Sequence, residues 1–163
     1  MNDYHYTATI TWTGNTGEGT KDYQAYGRGH TIVIQGKQEI QGSADPDFRG
    51  DRSCYSPEDL LLASVAACHM LWYLHLCAKA GLIVTAYQDI AEATMVITDD
   101  GGGYFTQVVL KPAITLKERS MEVEADRLHH EANKLCFIAN SVKFPITHQA
   151  VYNYPYKVNV PLI

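Results

Sequence analysis

The sequence predicts an α+β fold built around one long buried helix. Strand-like segments precede that helix, and a hairpin signal, a second helix and a last strand-like segment follow it. The elements are therefore grouped along the chain instead of alternating strand with helix. This grouping favours an antiparallel sheet packed on helices over a parallel α/β sheet.

The central helix is predicted over residues 56–81, SPEDLLLASVAACHMLWYLHLCAKAG. Ser56 can cap the first turn, Pro57 has the φ angle that suits the first helical position, and the acidic pair that follows suits the positive end of the helix dipole. Lys79 and Gly81 mark the C-terminal end. Because almost every residue between these ends is apolar or small, we expect a core or interface helix that is buried on most sides.

A membrane span is the alternative interpretation of this segment. Its apolar run is interrupted by the polar residues Ser64, His69 and His75, and its flanks lack the basic anchors typical of membrane spans. These features favour a helix inside a folded protein, and no association with a membrane is expected.

Short strands are predicted before the helix. Residues 4–12 alternate large apolar side chains with polar ones, a pattern typical of a half-buried strand. Residues 23–26 and 30–34 are two further strand-like segments, so an N-terminal meander is expected. Residues 42–55 are rich in Gly, Pro and Asp and predict a loop that leads into the helix. Long loops inside compact domains are often functional.

A hairpin and a second helix are predicted after the central helix. Residues 83–98 and 104–116 are strand-like runs joined by two aspartates and three glycines, a strong hairpin signal. Residues 120–135 predict a helix with a charged face opposite an apolar face formed by Val123, Leu128, Ala132 and Leu135. Residues 137–142 favour a short helix or turn, and residues 147–158 alternate like a last strand.

Length and composition favour one cytoplasmic domain. A chain of 163 residues, 46% of them hydrophobic, can bury a core of its own, so a single domain over residues 1–163 is expected. The net charge of -5 and the scattered Lys and Arg residues give no electrostatic footprint for nucleic acid. The N-terminus lacks the basic and apolar regions of a secretory signal, so a cytoplasmic location is expected.

Four cysteines are the residues in which chemistry is sought: Cys54, Cys68, Cys77 and Cys136. In a reducing compartment they are free thiols, metal ligands or redox groups. The spacing alone leaves two interpretations of Cys68 and Cys136 open, a redox pair or two small buried apolar residues. A metal site is disfavoured, because the sequence contains no CxxC or HxxxH spacing.

Two motifs carry the cysteines: SPEDLLLASVAACH, with its Pro-Glu pair ten residues before Cys68, and LCFIANSV, which contains Cys136. Together they resemble the motifs of the OsmC/Ohr family of osmotically inducible and organic hydroperoxide resistance proteins. The resemblance covers most of the chain, including the strand order. It implies an OsmC-like α+β fold, an intertwined homodimer with its sites at the subunit interface, and thiol-dependent reduction of organic hydroperoxides.

The resemblance also implies a role for individual residues. Cys68 matches the thiol that attacks the peroxide, Cys136 matches the resolving thiol, and Glu58 matches the acid that pairs with an arginine. Arg49 and Arg28 fit the two chain regions where the family places that arginine. Arg49 is the first choice, because its loop leads directly into Glu58, and Arg28 is the second.

The residues near the thiols give a predicted substrate pocket of Trp72, Phe137 and His69. The resemblance implies no cofactor and an external dithiol reductant, of which a lipoyl protein is one example. A second hypothesis keeps the fold without the catalysis. In that hypothesis an interface pocket lined by Trp72, Tyr73, Phe137 and Phe144 binds a small apolar ligand, and the cysteines serve as packing.

Overall fold

A computed structural model describes residues 2–155 of the chain. These residues form two units, 2–61 and 62–155, which are described in turn. The last three residues of the strand predicted over 147–158 lie outside the described residues. The single domain expected over residues 1–163 stays a prediction.

The first unit contains a three-stranded antiparallel sheet. Its strands are β1 (Thr9–Trp12), β2 (His30–Val33) and β3 (Ile40–Gly42), with β2 in the middle. The predicted meander therefore exists, and β1 and β2 lie within the strands predicted over 4–12 and 30–34, whereas β3 replaces the strand predicted over 23–26. β1 begins at Thr9 and not at residue 4, because Thr9 pairs with Val33, the last residue of its partner strand.

Residues 23–26, predicted as a strand, form turns. The Asp22 side chain accepts hydrogen bonds from the backbone N–H groups of Gln24 and Ala25, at 2.7 and 2.9 Å. The Arg28 guanidinium donates to the backbone carbonyls of Tyr23 and Tyr26. These bonds occupy backbone groups that a strand would need for its ladder.

The loop predicted over 42–55 contains a short 3₁₀ helix, Pro46–Phe48, and leads into α1 (Pro57–Lys79). Ser56 and Asp59 form a capping box at the start of α1. The Ser56 Oγ accepts from the Asp59 N–H at 3.1 Å, and an Asp59 carboxylate oxygen accepts from the Ser56 N–H at 3.0 Å. The predicted N-terminus is thus confirmed.

The C-terminal end of α1 is a Schellman motif. Gly81, at a φ of 72°, donates its N–H to the Ala78 carbonyl, and Leu82 donates to the Cys77 carbonyl. Cys77 and Leu82 are both buried, which supplies the apolar contact typical of the motif. The sequence signals for this end, a lysine in the last turn and a glycine beyond it, predicted it correctly.

Within the single chain α1 is fully buried along one side, and the expected burial on most sides, which includes an interface, stays a prediction. One stripe along the helix is buried, formed by Val65, His69, Tyr73 and Cys77, whereas Leu71 remains 63% exposed. By length and composition alone the helix could cross a membrane, a criterion that the core helix of a soluble protein also meets. A helix that buries one stripe in its own chain has a second apolar face available for another surface.

The second unit holds two three-stranded sheets with the helix α2 (Glu122–Leu135). One sheet has the order β4 (Val84–Asp89), β7 (Pro112–Leu116), β9 (Val151–Asn153); the other has the order β5 (Glu92–Ile97), β6 (Gly103–Leu110), β8 (Ile146–His148). The predicted hairpin is confirmed as the antiparallel pair β5–β6. The last segment forms two short strands instead of one, and both pair in parallel.

Each of the two long strand-like runs is split between the two sheets. The chain leaves one sheet after Asp89 and re-enters it after Lys111, where the Lys111 N–H donates to the Asp89 carboxylate at 2.7 Å. This bond ties together the two points at which the chain changes sheets. The alternation of apolar and polar residues did not predict this change of sheet, because a strand shows the same alternation in either sheet.

α2 is shorter than predicted, and its buried face is different. A 3₁₀ turn, Arg119–Met121, precedes it. Its buried residues are Ala125, Leu128, His129 and Ala132, whereas Val123, predicted on the apolar face, is 85% exposed. Ala125, Leu128 and Ala132 pack with Tyr73 and Cys77 of α1 and with Ile114 and Leu116 of β7.

A pair of buried histidines joins the two helices. His69 Nε2 of α1 lies 2.9 Å from His129 Nδ1 of α2, and the His129 ring stacks on Tyr73 with 3.9 Å between ring centroids. Burial lowers the pKa of His69 to about 4. Burial and the neighbouring histidines lower the pKa of His129 to about 3. Both rings are therefore neutral at pH 7.

The histidine pair predicts acid sensitivity of the fold. The unfolded chain takes up protons on both histidines below their ordinary pKa of 6.5, whereas the folded chain does not until near pH 4. Their contribution to stability is therefore complete above pH 6.5 and lost as the pH falls. The two protons together give a slope of about 2.7 kcal/mol per pH unit. We expect His129→Asn to lower the measured slope by about 1.4 kcal/mol per pH unit, one proton's share, in urea unfolding at pH 6.0 to 4.5.

The difference between the two slopes removes the contribution of the carboxyl groups that both proteins share. Asp89 is one of them, since burial raises its pKa. Equal slopes in the variant and the parent would contradict the assignment of the two neutral rings.

Candidate active site

The Cys68 and Cys136 thiols lie next to each other and are hydrogen-bonded. Cys68 is half-buried on α1, Cys136 is fully buried at the C-cap of α2, and both are free thiols. The two cysteines are 68 residues apart in the sequence, so the packing of the second unit brings them together. Two thiols in contact can join as a disulfide without a large rearrangement.

The segment after α2 positions Cys136. Its own N–H closes the helix by donating to the Ala132 carbonyl at 2.9 Å, and its backbone then becomes extended. The Ala139 N–H donates to the Cys136 Sγ at 3.3 Å, and the Asn140 N–H donates to the Cys136 carbonyl at 3.0 Å. A 3₁₀ turn, Ala139–Ser141, thus wraps around the thiol, as the predicted short helix or turn after residue 136 requires.

The two thiols are not equivalent. Burial, and next the hydrogen bond with Cys68, raise the pKa of Cys136 to about 11. Cys136 is therefore protonated at neutral pH and acts as the donor toward the Cys68 sulfur. Cys68 is thus the more exposed sulfur of the pair, and Cys136 is the buried one behind it.

The other two cysteines lie elsewhere. Cys77 is buried in the core against Tyr73, and burial raises its pKa to about 11. Cys54 is half-buried in the loop of the first unit, where its N–H donates to the Asp51 carbonyl.

Two of the three predicted pocket residues are together. The Trp72 and Phe137 rings meet edge to face, with centroids 5.6 Å apart, and Phe137 is 70% exposed. His69 is not beside them, because it is buried in the pair with His129. Instead, His75 packs edge-on against Trp72 at 5.8 Å. Sequence spacing placed His69 near the thiol correctly but could not show which way the ring faces.

The four-residue pocket of the second hypothesis is not assembled in this chain. Tyr73 is fully buried in the core with His129, and Phe144 packs on Phe105 beside a different cluster. Within that set, the rings of Trp72 and Phe137 meet edge to face.

Arg28 and Glu58, both in the first unit, line one cavity of about 280 Å³. The Arg28 guanidinium stacks over the rings of Tyr23 and Tyr26, at 4.2 and 4.1 Å, which fixes its plane. Arg49 is exposed in a left-handed conformation, and its guanidinium lies 6.0 Å from the Tyr23 ring. Arg28, the second choice from the sequence, therefore lines the same cavity as Glu58, and Arg49 does not line it. Within residues 2–155 neither arginine forms an ion pair with Glu58.

Sequence reasoning missed three contributors to this region: His129, His148 and the pocket position of His75. The His148 ring stacks on His129 with centroids 4.9 Å apart. These contacts join segments far apart in the chain, and no local pattern signals them. Among the described residues, no cluster of three or more His, Cys, Asp or Glu side chains has the arrangement of a metal site.

The chain matches the family model for OsmC-like proteins over residues 50–150. Its structure is similar to an OsmC-like protein of unknown function from Vibrio cholerae, with 30% identity, a TM-score of 0.82, and coverage of 91% of this chain and all of the other. A comparison with curated proteins finds no match.

Two more distant structures share the fold. One is an organic hydroperoxide resistance protein from Elizabethkingia anophelis, with 17% identity, a TM-score of 0.66, and coverage of 94% of this chain and 99% of the other. The other is an organic hydroperoxide resistance protein from Legionella pneumophila, with 14% identity, a TM-score of 0.65 and the same coverage of both chains. The predicted α+β fold and the family resemblance are confirmed: the chain belongs to the OsmC-like family.

Proposed function

We propose that this protein is a thiol peroxidase that reduces organic hydroperoxides by a Cys68–Cys136 disulfide cycle. The contact between the two thiols is the observation that carries the proposal. Two structural relatives are named as organic hydroperoxide resistance proteins, which supports the same chemistry. The proposal includes a cytoplasmic location, where the thiols stay reduced between turnovers.

The cycle balances with these two residues and an external dithiol. The Cys68 thiolate attacks one peroxide oxygen, the O–O bond breaks, and the alkoxide leaves as the alcohol after taking up a proton. Cys68 is then a sulfenic acid. The Cys136 sulfur attacks it, the Cys136 proton leaves with the hydroxyl group as water, and the disulfide forms. A dithiol, for example of a lipoyl protein, reduces the disulfide by exchange.

The reaction also needs a positive charge. Cys68 is far from the N-terminus of α1, and the influence of the helix dipole fades within about one turn, so the dipole contributes little. A guanidinium would favour the thiolate and stabilise the oxyanion as the O–O bond breaks. We assign this role to Arg28 instead of Arg49, because Arg28 lines the cavity that contains Glu58 and is held by two aromatic rings.

A homodimer forms part of the proposal. Glu58 and Cys68 are ten residues apart on α1, which corresponds to about 15 Å along the helix axis. Pairing the arginine and glutamate of one protomer with Cys68 of its partner across a two-fold axis overcomes that separation. The exposed apolar residues of α1, Leu71 among them, supply a surface for the partner. Light scattering at assay concentration tests the dimer, and a fully active monomer would refute it.

We expect the two cysteine variants to fail at different steps. Cys68→Ser should consume no peroxide, since no other described thiol lies beside Cys136. Cys136→Ser should consume one equivalent and stop at a Cys68 sulfenic acid, because the first step needs only the attacking sulfur. The measurement is peroxide consumed per protomer, with dimedone labelling of the sulfenic acid.

Cys54→Ser is the matched control for these variants and should turn over like the parent, because Cys54 lies in the loop of the first unit. Multiple turnovers by Cys68→Ser would disprove the assignment.

A second expectation separates the two arginines. Arg28→Met should lower kcat/KM for an organic hydroperoxide about a hundredfold, the scale of losing one stabiliser of transition-state charge. Arg49→Met should have a far smaller effect, because Arg49 is exposed to solvent. Steady-state kinetics with a saturating dithiol measures both. The opposite order would return the role to Arg49.

A further inference from the structure

His30 lines the same cavity of about 280 Å³ as Arg28 and Glu58. It is the first residue of β2, two positions after Arg28, and both side chains are half-buried. The wall of this cavity therefore contains an imidazole together with the guanidinium to which we assign the stabilisation of the oxyanion.

The hydrogen bonding of His30 shows which ring nitrogen is able to exchange a proton. Its Nδ1 lies 3.1 Å from the backbone carbonyl oxygen of Arg28. A carbonyl oxygen only accepts, so Nδ1 carries a hydrogen and donates it. Nε2 forms no hydrogen bond within residues 2–155. It is therefore the nitrogen that can pass a proton to a ligand in the cavity.

Gly42 makes room for the His30 ring. The two residues are opposite each other in the pair of β2 and β3. A Cβ atom at Gly42 would lie 2.3 Å from His30 Nε2, which is closer than such atoms can approach. Gly42 has no positive φ, so its backbone does not require glycine. A glycine inside a strand weakens the strand and often marks a close approach, here that of the imidazole ring.

The formal charges of the cavity are balanced by a proton on His30. The charged side chains that line it besides His30 are Arg28, Asp45 and Glu58. Two carboxylates and one guanidinium leave one negative charge in excess, which an imidazolium neutralises. Imidazole is also the side chain that ordinarily takes up and releases a proton near neutral pH.

The first step of the proposed cycle needs a proton donor. An alkyl hydroperoxide leaves as an alkoxide, a strong base that takes up a proton as the O–O bond breaks. Arg28 can stabilise the developing charge, but a guanidinium does not give up its proton in proteins. A positioned general acid contributes typically about 10²- to 10⁴-fold to the rate of such a step.

We propose that His30 is the general acid that protonates the leaving alkoxide. This rests on the peroxidase function and the dimer proposed above, in which the cavity of one protomer meets Cys68 of its partner. The Cys68 thiolate, whose own proton has gone to water, attacks the terminal peroxide oxygen. An S–O bond forms, the O–O bond breaks, and the Nε2 proton passes to the alkoxide. The alcohol leaves, Cys68 is a sulfenic acid, and water returns a proton to His30.

The test compares two peroxides whose leaving groups differ in basicity, tert-butyl hydroperoxide and peracetic acid. Acetate, the leaving group of peracetic acid, needs no proton at neutral pH. His30→Gln should slow oxidation by tert-butyl hydroperoxide about a hundredfold and leave the rate with peracetic acid almost unchanged. The glutamine amide can still donate to the Arg28 carbonyl but delivers no proton. The measurement is the second-order rate constant for oxidation of the reduced protein, followed by rapid quenching and alkylation of Cys68.

Gly42→Ala is a second variant, and it retains the imidazole. The added methyl group displaces the tip of the His30 ring, so this variant should show the same selective loss with tert-butyl hydroperoxide. Arg28→Met should slow both peroxides, because the thiolate and the oxyanion both depend on the guanidinium. His130→Gln is the matched control, since His130 is an exposed histidine on α2 that does not line the cavity, and should match the parent.

The two proposals fail in different ways. No oxidation of the parent by either peroxide would overturn the peroxidase function and the role of His30 together. An active parent with equal losses for the two peroxides in His30→Gln would overturn the role of His30 alone, because a merely structural change slows both. Parent-like rates in Gly42→Ala, with circular dichroism showing all variants folded, would likewise contradict the placement of the acid.

Discussion

The hydrogen bond between His69 and His129 joins α1 to α2 beside the two thiols. His69 directly follows Cys68, and His129 precedes Cys136 by seven residues, or about two turns on the same face of α2. The stack of Tyr73 on His129 adds a second contact one turn further along α1. Together these contacts fix how α1 lies against α2, and therefore whether Cys68 meets Cys136.

The same packing makes the two cysteines different. Cys136 ends α2 inside the protein, where burial and the hydrogen bond with Cys68 keep its proton. Cys68 lies on the side of α1 that is only partly covered. In the proposed cycle the more exposed Cys68 sulfur meets the peroxide, and the Cys136 proton leaves with the hydroxyl group as water.

Local signals predicted the parts of the fold that depend on local interactions. The capping box at Ser56 and the Schellman motif at Gly81 need only neighbouring residues, and both ends of α1 were predicted within two residues. Strand ends depend on partners, so β1 began later than expected and each long run was split between two sheets. The all-round burial of α1 was expected because hydrophobicity shows that a residue can be buried but not which surface covers it.

The candidate site divides in the same way. The two motifs singled out Cys68 and Cys136. The contact between these thiols depends on how α1 packs against the end of α2. Proximity in sequence favoured Arg49, but the cavity lined by Glu58 is also lined by Arg28. The Arg28 guanidinium is held there by hydrogen bonds to the backbone carbonyls of Tyr23 and Tyr26. The pairing of His69 with His129 joins residues 60 positions apart, and neither helix shows a sign of it in its own sequence.

The central claim is that Cys68 and Cys136 form one reversible redox pair. The most direct measurement is the intact mass of the reduced protein after one equivalent of an organic hydroperoxide, followed by peptide mapping without reductant. The account predicts the loss of two hydrogens per chain, one cross-linked peptide pair containing Cys68 and Cys136, and recovery of the starting mass with a dithiol. A cross-link through Cys54 or Cys77, or addition of oxygen to Cys68 with Cys136 still free, would contradict it.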